Sequence, residues 1–314
     1  MARILVTGAG GFIGRALCPG LAVRGHQVIA GCRRDPPPDH PNVAGVKPVR
    51  LGEVMPGRDW SSALRDIDVV IHLAQRAHSR ATDAMLAQER LATADLARSA
   101  TRAGARRLIY FSSIKAMGDS TLPGRPFRAG DPPQPEDAYG RAKLATERAL
   151  AEAAAATPLE IVILRPPLVY GAGVGANFRA LARLAASGLP LPFGGIDNCR
   201  SLVCLDNLVD LVGEAATHPA AAGRILLAAD GTDLSTPDLI RILAEGQGRA
   251  AHLFALPASI LATLRRLPAV GPAVARLTQS LQIDNAAERI LLDWQPPVSP
   301  AGALFETARA IATP

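Results

Sequence analysis

The first half of the chain alternates short, almost purely apolar runs with longer segments in which apolar residues recur every three or four positions. Short runs of Val, Ile and Leu are typical of parallel strands covered on both faces, and the longer segments are typical of crossover helices. The pattern predicts strands at residues 3–7, 27–31, 46–51, 68–73, 107–112 and 160–165. It predicts helices at residues 12–24, 60–65, 82–103 and 139–156, and a loop at the crossover that contains Pro36, Pro37, Pro38 and Pro41. We therefore expect an α/β protein with a doubly wound, Rossmann-like parallel sheet.

The pattern loosens after about Pro166, where prolines cluster and the helices shorten. Two more strands are expected, at residues 201–204 and 224–228. We expect residues 1–165 to form one domain and residues 166–314 to form mainly a smaller lobe over the C-terminal edge of the sheet. Parts of residues 201–230 are expected to return to the sheet.

One apolar stretch in the second half carries positive charge. Residues 256–281 are apolar, with Arg265, Arg266 and Arg276 interspersed. We expect helices that pack on the body of the protein, and a role at a membrane surface is the alternative.

Composition and charge argue against several classes of protein. Apolar residues make up 48% of the 314 residues and charged residues 20%, which is an ordinary globular composition. No run approaches the length of a membrane span, and the chain becomes glycine-rich soon after its start, so we expect neither a membrane partner nor an export signal. The net charge is +6, but arginine clusters are short and only 4% of residues are aromatic, so no nucleic-acid partner is expected.

The four cysteines indicate a reducing compartment. Cys18, Cys32, Cys199 and Cys204 include no CxxC pair and no histidine at a metal-ligand spacing. Reduced thiols in the cytoplasm fit this pattern better than a disulfide framework or a zinc site. We therefore expect a cytoplasmic protein without a metal.

A glycine-rich loop follows the first predicted strand directly. Gly8, Gly11 and Gly14 have the spacing GxxGxxG, with Phe12 and Ile13 between the last two. Glycine permits a positive φ in a tight turn, and the free N–H groups at the start of the next helix favour phosphate. In this strand–loop–helix context the motif predicts that the first domain binds a dinucleotide. A purely structural glycine turn is the alternative.

The end of the second predicted strand bears on the choice of cofactor. An acidic residue there would accept a hydrogen bond from the ribose 2′-OH of NAD, whereas an arginine would pair with the 2′-phosphate of NADP. The chain has Cys32 at this position, followed by Arg33 and Arg34. Because arginine suits phosphate, we expect NADP(H). The alternative is NAD(H), with Arg33 only stacking on the adenine.

The spacing of Tyr139 and Lys143 points to proton chemistry. Residues four apart on a helix stand on one face, one turn apart. A phenol has a pKa near 10, and a neighbouring ammonium favours the phenolate, so we expect Lys143 to lower the pKa of Tyr139. The chain has only three tyrosines, and only three of its 34 cationic residues are lysines. A chance match to this spacing is therefore rare.

A third polar partner is expected where the fifth predicted strand ends, at the sheet edge where such folds bind ligands. Ser113 lies there and would donate to a substrate oxygen while Tyr139 handles its proton. Ser112 is the fallback. Lys115 is either solvated or faces the substrate.

These motifs occur in one fixed order, with others that extend over nearly the whole chain. They are the glycine loop, His72-Leu73-Ala74, Ser112-Ser113, Tyr139 with Lys143, and the stretches that begin at Leu164, Asn177, Arg200 and Asp293. With them the chain resembles the extended short-chain dehydrogenase/reductase superfamily, in its nucleotide-sugar epimerase/dehydratase branch. Ser113-Ile114-Lys115 with Arg165-Pro166-Pro167 is similar to UDP-sugar 4-epimerase-like proteins. Among these it looks closest to reductases of 4-keto-6-deoxy-N-acetylhexosamine nucleotides, which serve polysaccharide synthesis.

The resemblance implies a role for each matching position. Tyr139 would be the acid/base, Lys143 would lower its pKa, and Ser113 would orient the C4 oxygen of the sugar. Asn177 and Arg200 would hold the diphosphate of the substrate, with an N-cap and a surface salt bridge as their respective alternatives. The expected cofactor-binding residues are Gly8, Gly11, Phe12, Ile13, Gly14, Arg33, Leu73, Ala74, Tyr139, Lys143, Pro166 and Val169. The expected substrate-binding residues are Ser113, Lys115, Asn177 and Arg200.

Three positions depart from the pattern of this branch. Dehydratases carry an acidic pair just after the catalytic Ser or Thr, where this chain has Ile114 and Lys115. That difference argues against loss of water from the sugar. Family members usually have Asn in the helix after the fourth strand, where this chain has Glu89. Gln75 stands where Ala or Gly is usual.

The resemblance implies an NAD(P)-dependent oxidoreductase that acts at C4 of a nucleotide-activated hexose. The expected reaction is reduction of a UDP-4-keto-6-deoxy-hexosamine, and the first alternative is a UDP-hexose 4-epimerase, which keeps and recycles its cofactor. A reductase of a small non-sugar carbonyl and a non-catalytic dinucleotide-binding sensor are further alternatives. A homodimer is expected through residues 82–103 and 139–156, the pairing seen in related enzymes.

Overall fold

A computed structural model describes residues 1–34, 43–75 and 82–312. The described strands are β1 (Arg3–Thr7), β2 (Gln27–Cys32), β3 (Val46–Arg50), β4 (Val69–His72), β5 (Arg107–Phe111), β6 (Glu160–Arg165), β7 (Leu168–Tyr170), β8 (Pro190–Leu191), β9 (Arg200–Cys204), β10 (Ile225–Leu227), β11 (Asp233–Leu234) and β12 (His252–Leu253). The described helices are α1 (Phe12–Val23), α2 (Asp83–Arg102), α3 (Ala138–Ala154), α4 (Ala176–Ala185), α5 (Leu205–Thr217), α6 (Thr236–Glu245), α7 (Ala258–Arg265), α8 (Gly271–Thr278), α9 (Ala286–Leu291) and α10 (Pro300–Ala312).

Seven strands form one parallel sheet in the order β10-β6-β5-β4-β1-β2-β3. The strand order reverses at β1, which lies between β2 and β4, and such a switch point opens a crevice at the carboxyl ends of the strands. This confirms the predicted fold class. The six strands predicted in the first half are present, with ends within one residue of the prediction.

Helices cover both faces of this sheet. On one face α1 and α5 bury Leu17, Leu21 and Leu208 against the strands. On the other face α2 and α3 bury Leu96 and Leu150. Because both faces are covered, the strands can be almost purely apolar, as their sequences are.

The second half of the chain builds a separate core. Helices α4, α6 and α10 pack together with the small sheet β11-β9-β7 around Tyr170, Phe178, Ile240 and Leu304. Strand β10 instead returns to the main sheet and pairs with β6. No helix in the described part of the chain is long and apolar enough to cross a membrane. All four cysteines are free thiols.

Two predictions for the first crossovers have different outcomes. The predicted helix at residues 60–65 is wrong, because the segment is a run of turns that ends at Asp66, whose φ is 57°. It holds the helix-type hydrogen bond from Leu64 to the carbonyl of Trp60, at 2.9 Å. A helix this short has little to offset the cost of its nucleation. The predicted proline-rich loop at Pro36, Pro37, Pro38 and Pro41 lies outside the described residues.

Candidate active site

The glycine loop forms a tight cradle between β1 and α1. Gly8 has a φ of 74°, and a Cβ there would lie 2.7 Å from the backbone nitrogen of Ala74. A Cβ at Gly14 would lie 2.5 Å from the carbonyl oxygen of Gly8, so both positions require glycine. Helix α1 begins after Gly11 without a side-chain cap, which leaves its first N–H groups available to an anion. The cradle fits the pyrophosphate of a dinucleotide.

A cavity of about 450 Å³ opens beside this cradle, at the switch point of the sheet. Among the predicted cofactor residues, those that line it are Gly8, Gly11, Arg33, Leu73 and Ala74. The cavity runs from Arg33 and Arg34 at the end of β2 to Gln75 at the end of β4 and Glu89 on α2. Its extent fits the elongated shape of a dinucleotide.

The other predicted cofactor residues are not part of the cavity wall: Phe12, Ile13, Gly14, Tyr139, Lys143, Pro166 and Val169. Phe12 packs against the core of the second half, and Ile13 packs against the core on the α1 face of the main sheet. Pro166 is buried, and its carbonyl accepts a hydrogen bond of 3.0 Å from the N–H of Ile114. Val169 lies on β7 opposite Val203.

The end of β2 carries cations and no acid. Cys32 is 4% exposed, and burial raises the pKa of its thiol above the ordinary value. It therefore stays neutral and offers no carboxylate to a ribose hydroxyl. Arg33 and Arg34 are exposed and line the cavity beside it. Glu53, which follows β3, lines the same end of the cavity.

Helix α3 brings Tyr139 and Lys143 together, as their spacing predicts. The Nζ of Lys143 lies 5.3 Å from the ring centroid of Tyr139. The same ammonium lies 3.4 Å from the hydroxyl of Tyr110 and 3.4 Å from the carbonyl oxygen of Phe111, both on β5. Strand β5 therefore fixes the direction of the Lys143 side chain, which is 3% exposed.

The electrostatics of this pair differ from the prediction. Burial raises the pKa of Tyr139 to about 12, and the charges of Glu89 and Asp137 act in the same direction. Burial lowers the pKa of Lys143 to about 8, against the opposing effects of Glu89 and Glu147. The pKa of Tyr139 therefore lies above that of a free phenol, because desolvation and two nearby carboxylates dominate. That the ammonium of Lys143 by itself favours the phenolate stays a prediction. The phenol holds its proton at neutral pH.

Glu89 lies beside the ammonium of Lys143. Its Oε1 is 3.9 Å from Nζ, and its side chain is 14% exposed where it lines the cavity. The departure from the family pattern at this position thus places a carboxylate directly next to the Tyr139–Lys143 pair. This carboxylate connects the buried ammonium to the cavity.

The two serines at the end of β5 have different surroundings. Ser112 is buried, and its hydroxyl donates to Glu147, which in turn forms a buried ion pair with Arg165. Ser113 is half-buried, and its Oγ accepts a hydrogen bond of 3.2 Å from the N–H of Lys115. The hydroxyl proton of Ser113 is thus available to a ligand, whereas Ser112 belongs to the internal network.

Lys115 is bound to carboxylates rather than solvated. Its Nζ lies 2.6 Å from Oδ2 of Asp137 and 3.0 Å from Oδ1 of Asp119. Asp137 is the N-cap of α3 and accepts a hydrogen bond of 2.7 Å from the N–H of Gly140. These contacts do not favour the expected substrate-facing role of Lys115. Instead, the ion pair of Lys115 with Asp137 fixes the end of α3 that carries Tyr139, and we call this ion pair the clamp.

The second half of the chain supplies two of the predicted substrate residues. Asn177 is exposed in the first turn of α4. It is not the N-cap, since Gly175 occupies that position. The guanidinium of Arg200 donates to the carbonyl oxygens of Arg276 at 2.7 Å and Gln279 at 3.0 Å. The alternative of a surface salt bridge for Arg200 is therefore wrong, because its partners are carbonyls.

Arg276 is a site residue that no sequence motif marks. Burial, together with the charge of Arg276, lowers the pKa of Arg200 from its ordinary value. The positive charges of these two residues act on each other, and such a local excess of positive charge favours an anion. Arg276 lies far along the chain within an apolar stretch and belongs to no motif, so only the structure could pair it with Arg200.

Comparisons with known proteins agree with this geometry. A protein-family model described as "NAD dependent epimerase/dehydratase family" matches residues 4–228. A UDP-glucose 4-epimerase of Vibrio cholerae is 36% identical over 314 residues, which cover 98% of this chain and 94% of that protein. A 2-alkyl-3-oxoalkanoate reductase of Stenotrophomonas maltophilia is 32% identical over 255 residues, which cover 78% of this chain and 76% of that protein.

Solved structures agree with the fold. The crystal structure of UDP-glucuronic acid 4-epimerase from Bacillus cereus in complex with NAD matches the chain with a TM-score of 0.77. The match covers 98% of both chains at 23% identity. At this identity the likeness concerns the fold alone.

Proposed function

The chain belongs to the NAD dependent epimerase/dehydratase family and is a nicotinamide-dependent enzyme of the short-chain dehydrogenase/reductase type. From that premise we propose that it reduces the 4-ketone of a UDP-linked hexose. The proposed substrate is a UDP-4-keto-6-deoxy-hexosamine, and the product would serve polysaccharide synthesis. When bound, the reduced nicotinamide supplies a hydride to C4. The chain supplies the proton, the orientation of the ketone and the binding of the nucleotide.

The observation that carries this proposal is that Tyr139 is buried beside Lys143 and keeps its proton at neutral pH. A carbonyl that accepts a hydride also needs a proton on its oxygen. With a pKa of about 12, Tyr139 holds that proton at neutral pH. The neighbouring ammonium of Lys143 stabilises the phenolate that forms when the proton leaves. Ser113 donates to the same oxygen and holds it in place.

The pair Arg200 and Arg276 supports a nucleotide diphosphate as the anionic part of the substrate. Together with Asn177 these residues belong to the second half of the chain. We propose that residues 166–314 form mainly the substrate-binding lobe, with parts of residues 201–230 in the main sheet, beside a dinucleotide-binding domain (residues 1–165). UDP should therefore raise the melting temperature of the protein. Arg276→Gln should abolish most of that shift, whereas Arg309→Gln, an exposed change on α10, should not. No stabilisation by UDP would favour a small non-sugar carbonyl as substrate.

The end of β2 supports NADP(H) as the cofactor. Arg33 lines the cavity next to a neutral Cys32, and a charge-assisted pair with a 2′-phosphate strengthens binding on the order of tenfold or more. The protein should therefore purify without bound cofactor and bind NADPH at least about tenfold more tightly than NADH. Arg33→Ser should remove this preference, and Arg241→Ser, an exposed change on α6, should leave it intact.

A UDP-hexose 4-epimerase is the second candidate, because the relative from Vibrio cholerae carries that activity in its name. Such an enzyme oxidises C4 and returns the hydride to the opposite face, so it retains its cofactor. Purified protein that contains tightly bound NAD, and interconverts UDP-glucose and UDP-galactose without added cofactor, would favour this candidate. The same outcome would contradict the proposed role of Arg33.

We further propose that the protein is a cytoplasmic homodimer. Helices α2 and α3 lie side by side, and a groove of about 670 Å³ is lined by residues of both helices. Its lining consists of four alanines, of Leu91, which is 50% exposed, and of the charged residues Arg90, Arg98, Arg148 and Glu152. A second copy would cover this surface. Light scattering at micromolar concentration should give twice the monomer mass, and Leu91→Glu should give the monomer. A monomeric wild type would exclude this pairing.

A further inference from the structure

Helices α7 and α8 form an apolar hairpin at the surface of the second half of the chain. They pack against each other, and Leu261 and Leu277 pack on the core beneath. Three other large apolar residues of the hairpin are partly exposed: Ile260 at 44%, Leu267 at 45% and Val270 at 41%. Soluble proteins rarely leave several such residues exposed together without a partner for them.

The tip of the hairpin is a tight turn closed by a hydrogen bond. The N–H of Gly271 donates to the carbonyl of Leu267 at 2.7 Å. A Cβ at Gly271 would lie 2.3 Å from the carbonyl oxygen of Arg265, so only glycine lets α8 start so close to the end of α7. The hydrogen-bonded turn holds Leu267 and Val270 at the surface.

The charge of this region has one sign. Residues 246–283 contain no Asp or Glu and four arginines, which are Arg249, Arg265, Arg266 and Arg276. They account for four of the six excess positive charges of the whole chain. All four arginines are exposed. Arg276 has a role in the proposed substrate site, whereas Arg265 and Arg266 have none there and immediately precede the apolar tip.

Exposed apolar side chains flanked by arginines suit a surface that is both apolar and negative. An anionic phospholipid bilayer provides both, because the apolar groups enter the acyl boundary while the arginines pair with the phosphates. A second copy of this hairpin suits it less, since the arginines of two copies would face each other without a carboxylate in the segment. Nucleic acid would not accommodate the apolar tip.

We propose that the α7–α8 hairpin docks the protein on the surface of an anionic phospholipid bilayer, with Leu267 and Val270 inserted and Arg265 and Arg266 on the headgroups. The protein lies on the membrane and does not cross it. This docking goes beyond the proposed reaction and does not depend on it.

Flotation of the full-length protein with lipid vesicles tests this proposal. Vesicles of phosphatidylcholine with phosphatidylglycerol should bind at least about tenfold more protein than vesicles of phosphatidylcholine alone, and added salt should reduce the binding. Failure of the wild-type protein to bind the anionic vesicles would overturn the proposal.

Variants then locate the contact. The double variants Leu267→Asp/Val270→Asp and Arg265→Gln/Arg266→Gln should each lose most of the binding, about tenfold or more. The matched control is Ile290→Asp, which changes an 83% exposed residue of α9 and should bind as the wild type does. Unchanged NADPH binding shows that each variant is folded. Equal loss of binding in the control would contradict docking on lipid. So would a dimer mass in light scattering that falls to the monomer mass in Leu267→Asp/Val270→Asp, because the hairpin would then join two copies.

Discussion

At the residue scale, the site depends on how one carboxylate acts on two neighbours. Glu89 lies 3.9 Å from the ammonium of Lys143 and raises the pKa of both Lys143 and Tyr139. A higher pKa keeps the lysine charged and the phenol protonated near neutral pH. Both states serve proton donation to a ketone. Glutamate in place of asparagine therefore suits a reductase in this family.

This arrangement predicts a pH dependence. Reduction should slow as the pH rises through about 8, where Lys143 loses the charge that stabilises the phenolate. Glu89→Gln removes a negative charge that raises the pKa of Lys143, so the decline of kcat with pH should move to lower pH. The control Glu245→Gln, an exposed change on α6, should leave the profile in place. If kcat, measured against pH, declines over the same pH range in Glu89→Gln as in the wild type, the carboxylate of Glu89 does not act on Tyr139 and Lys143.

His72 is a second residue whose charge state is set by the fold. It is fully buried. Its Nδ1 lies 2.8 Å from the hydroxyl oxygen of Thr7, and its Nε2 lies 3.3 Å from the hydroxyl oxygen of Thr93. The hydroxyl of Thr93 donates to the backbone carbonyl of Glu89 at 2.7 Å. Thr7 in turn accepts from the N–H of Ala74. This chain of bonds joins the glycine cradle to the helix that carries Glu89, and it requires a neutral imidazole. Burial, with a smaller effect from Lys143, lowers the pKa of His72 to about 3.

The fold should therefore lose stability in acid through His72. Above pH 6.5 the residue is neutral in both the folded and unfolded chain. Below that pH His72 is protonated in the unfolded chain but stays neutral in the folded chain until about pH 3. The free energy of unfolding therefore falls by about 1 kcal/mol for each pH unit in this range. Urea denaturation between pH 7.5 and 4.5 should show this slope, and His72→Gln should reduce it. The exposed-site control His252→Gln should not, and equal slopes in all three proteins would refute the assignment.

At the scale of elements, the N-terminus of α3 is held by the short 3₁₀ helix Ile114–Ala116. Lys115 pairs with the capping residue Asp137, and the backbone carbonyl of Lys115 lies against Gly140. The charge of Asp137 raises the pKa of Tyr139, so the clamp sets both the position and the charge environment of the phenol. Tyr139 thus depends on a contact between two elements as well as on its own helix.

Gly140→Ala tests this contact. Alanine normally stabilises a helix relative to glycine, by about 1 kcal/mol. Here its Cβ would lie 2.3 Å from the carbonyl oxygen of Lys115, so the substitution should destabilise the protein by about 1–3 kcal/mol and lower kcat by displacing Tyr139. Gly130→Ala meets nothing within 4 Å and serves as the control in the same urea denaturation and kinetic assays. A stabilised, fully active Gly140→Ala would rule out close packing at this position.

The elements differ in how well sequence predicted them. Strands such as Glu160–Arg165 are read correctly because burial on both faces leaves an uninterrupted apolar run. The segment at residues 60–65 has a helical pattern but too few residues, and Asp66 ends it. Tyr139 and Lys143 could be paired because helical spacing is local. The partners of Lys115 and Arg200 could not, since Asp137 and Gln279 are brought to them only by tertiary packing.

At the scale of the whole molecule, the two halves of the chain divide the work that we propose for them. The cavity at the carboxyl end of the parallel sheet is lined by residues of the first half, among them Gly8 and Glu89. The second half supplies Arg200 and Arg276, whose charges act on each other. Strand β10 joins the halves by returning to the sheet beside β6. The sequence order of motifs indicates such a division, but only the packing decides which arginines meet.

Transfer of a labelled hydride shows whether the enzyme reduces C4 of a UDP-linked 4-keto sugar. The enzyme would be incubated with NADPH carrying deuterium at the transferable position of nicotinamide C4 and with a UDP-4-keto-6-deoxy-N-acetylhexosamine, and the product examined by NMR. We predict deuterium on C4 of the sugar, with turnover lowered at least about a hundredfold in Tyr139→Phe. Absence of label from C4, or full turnover by the Tyr139→Phe variant, would contradict the account.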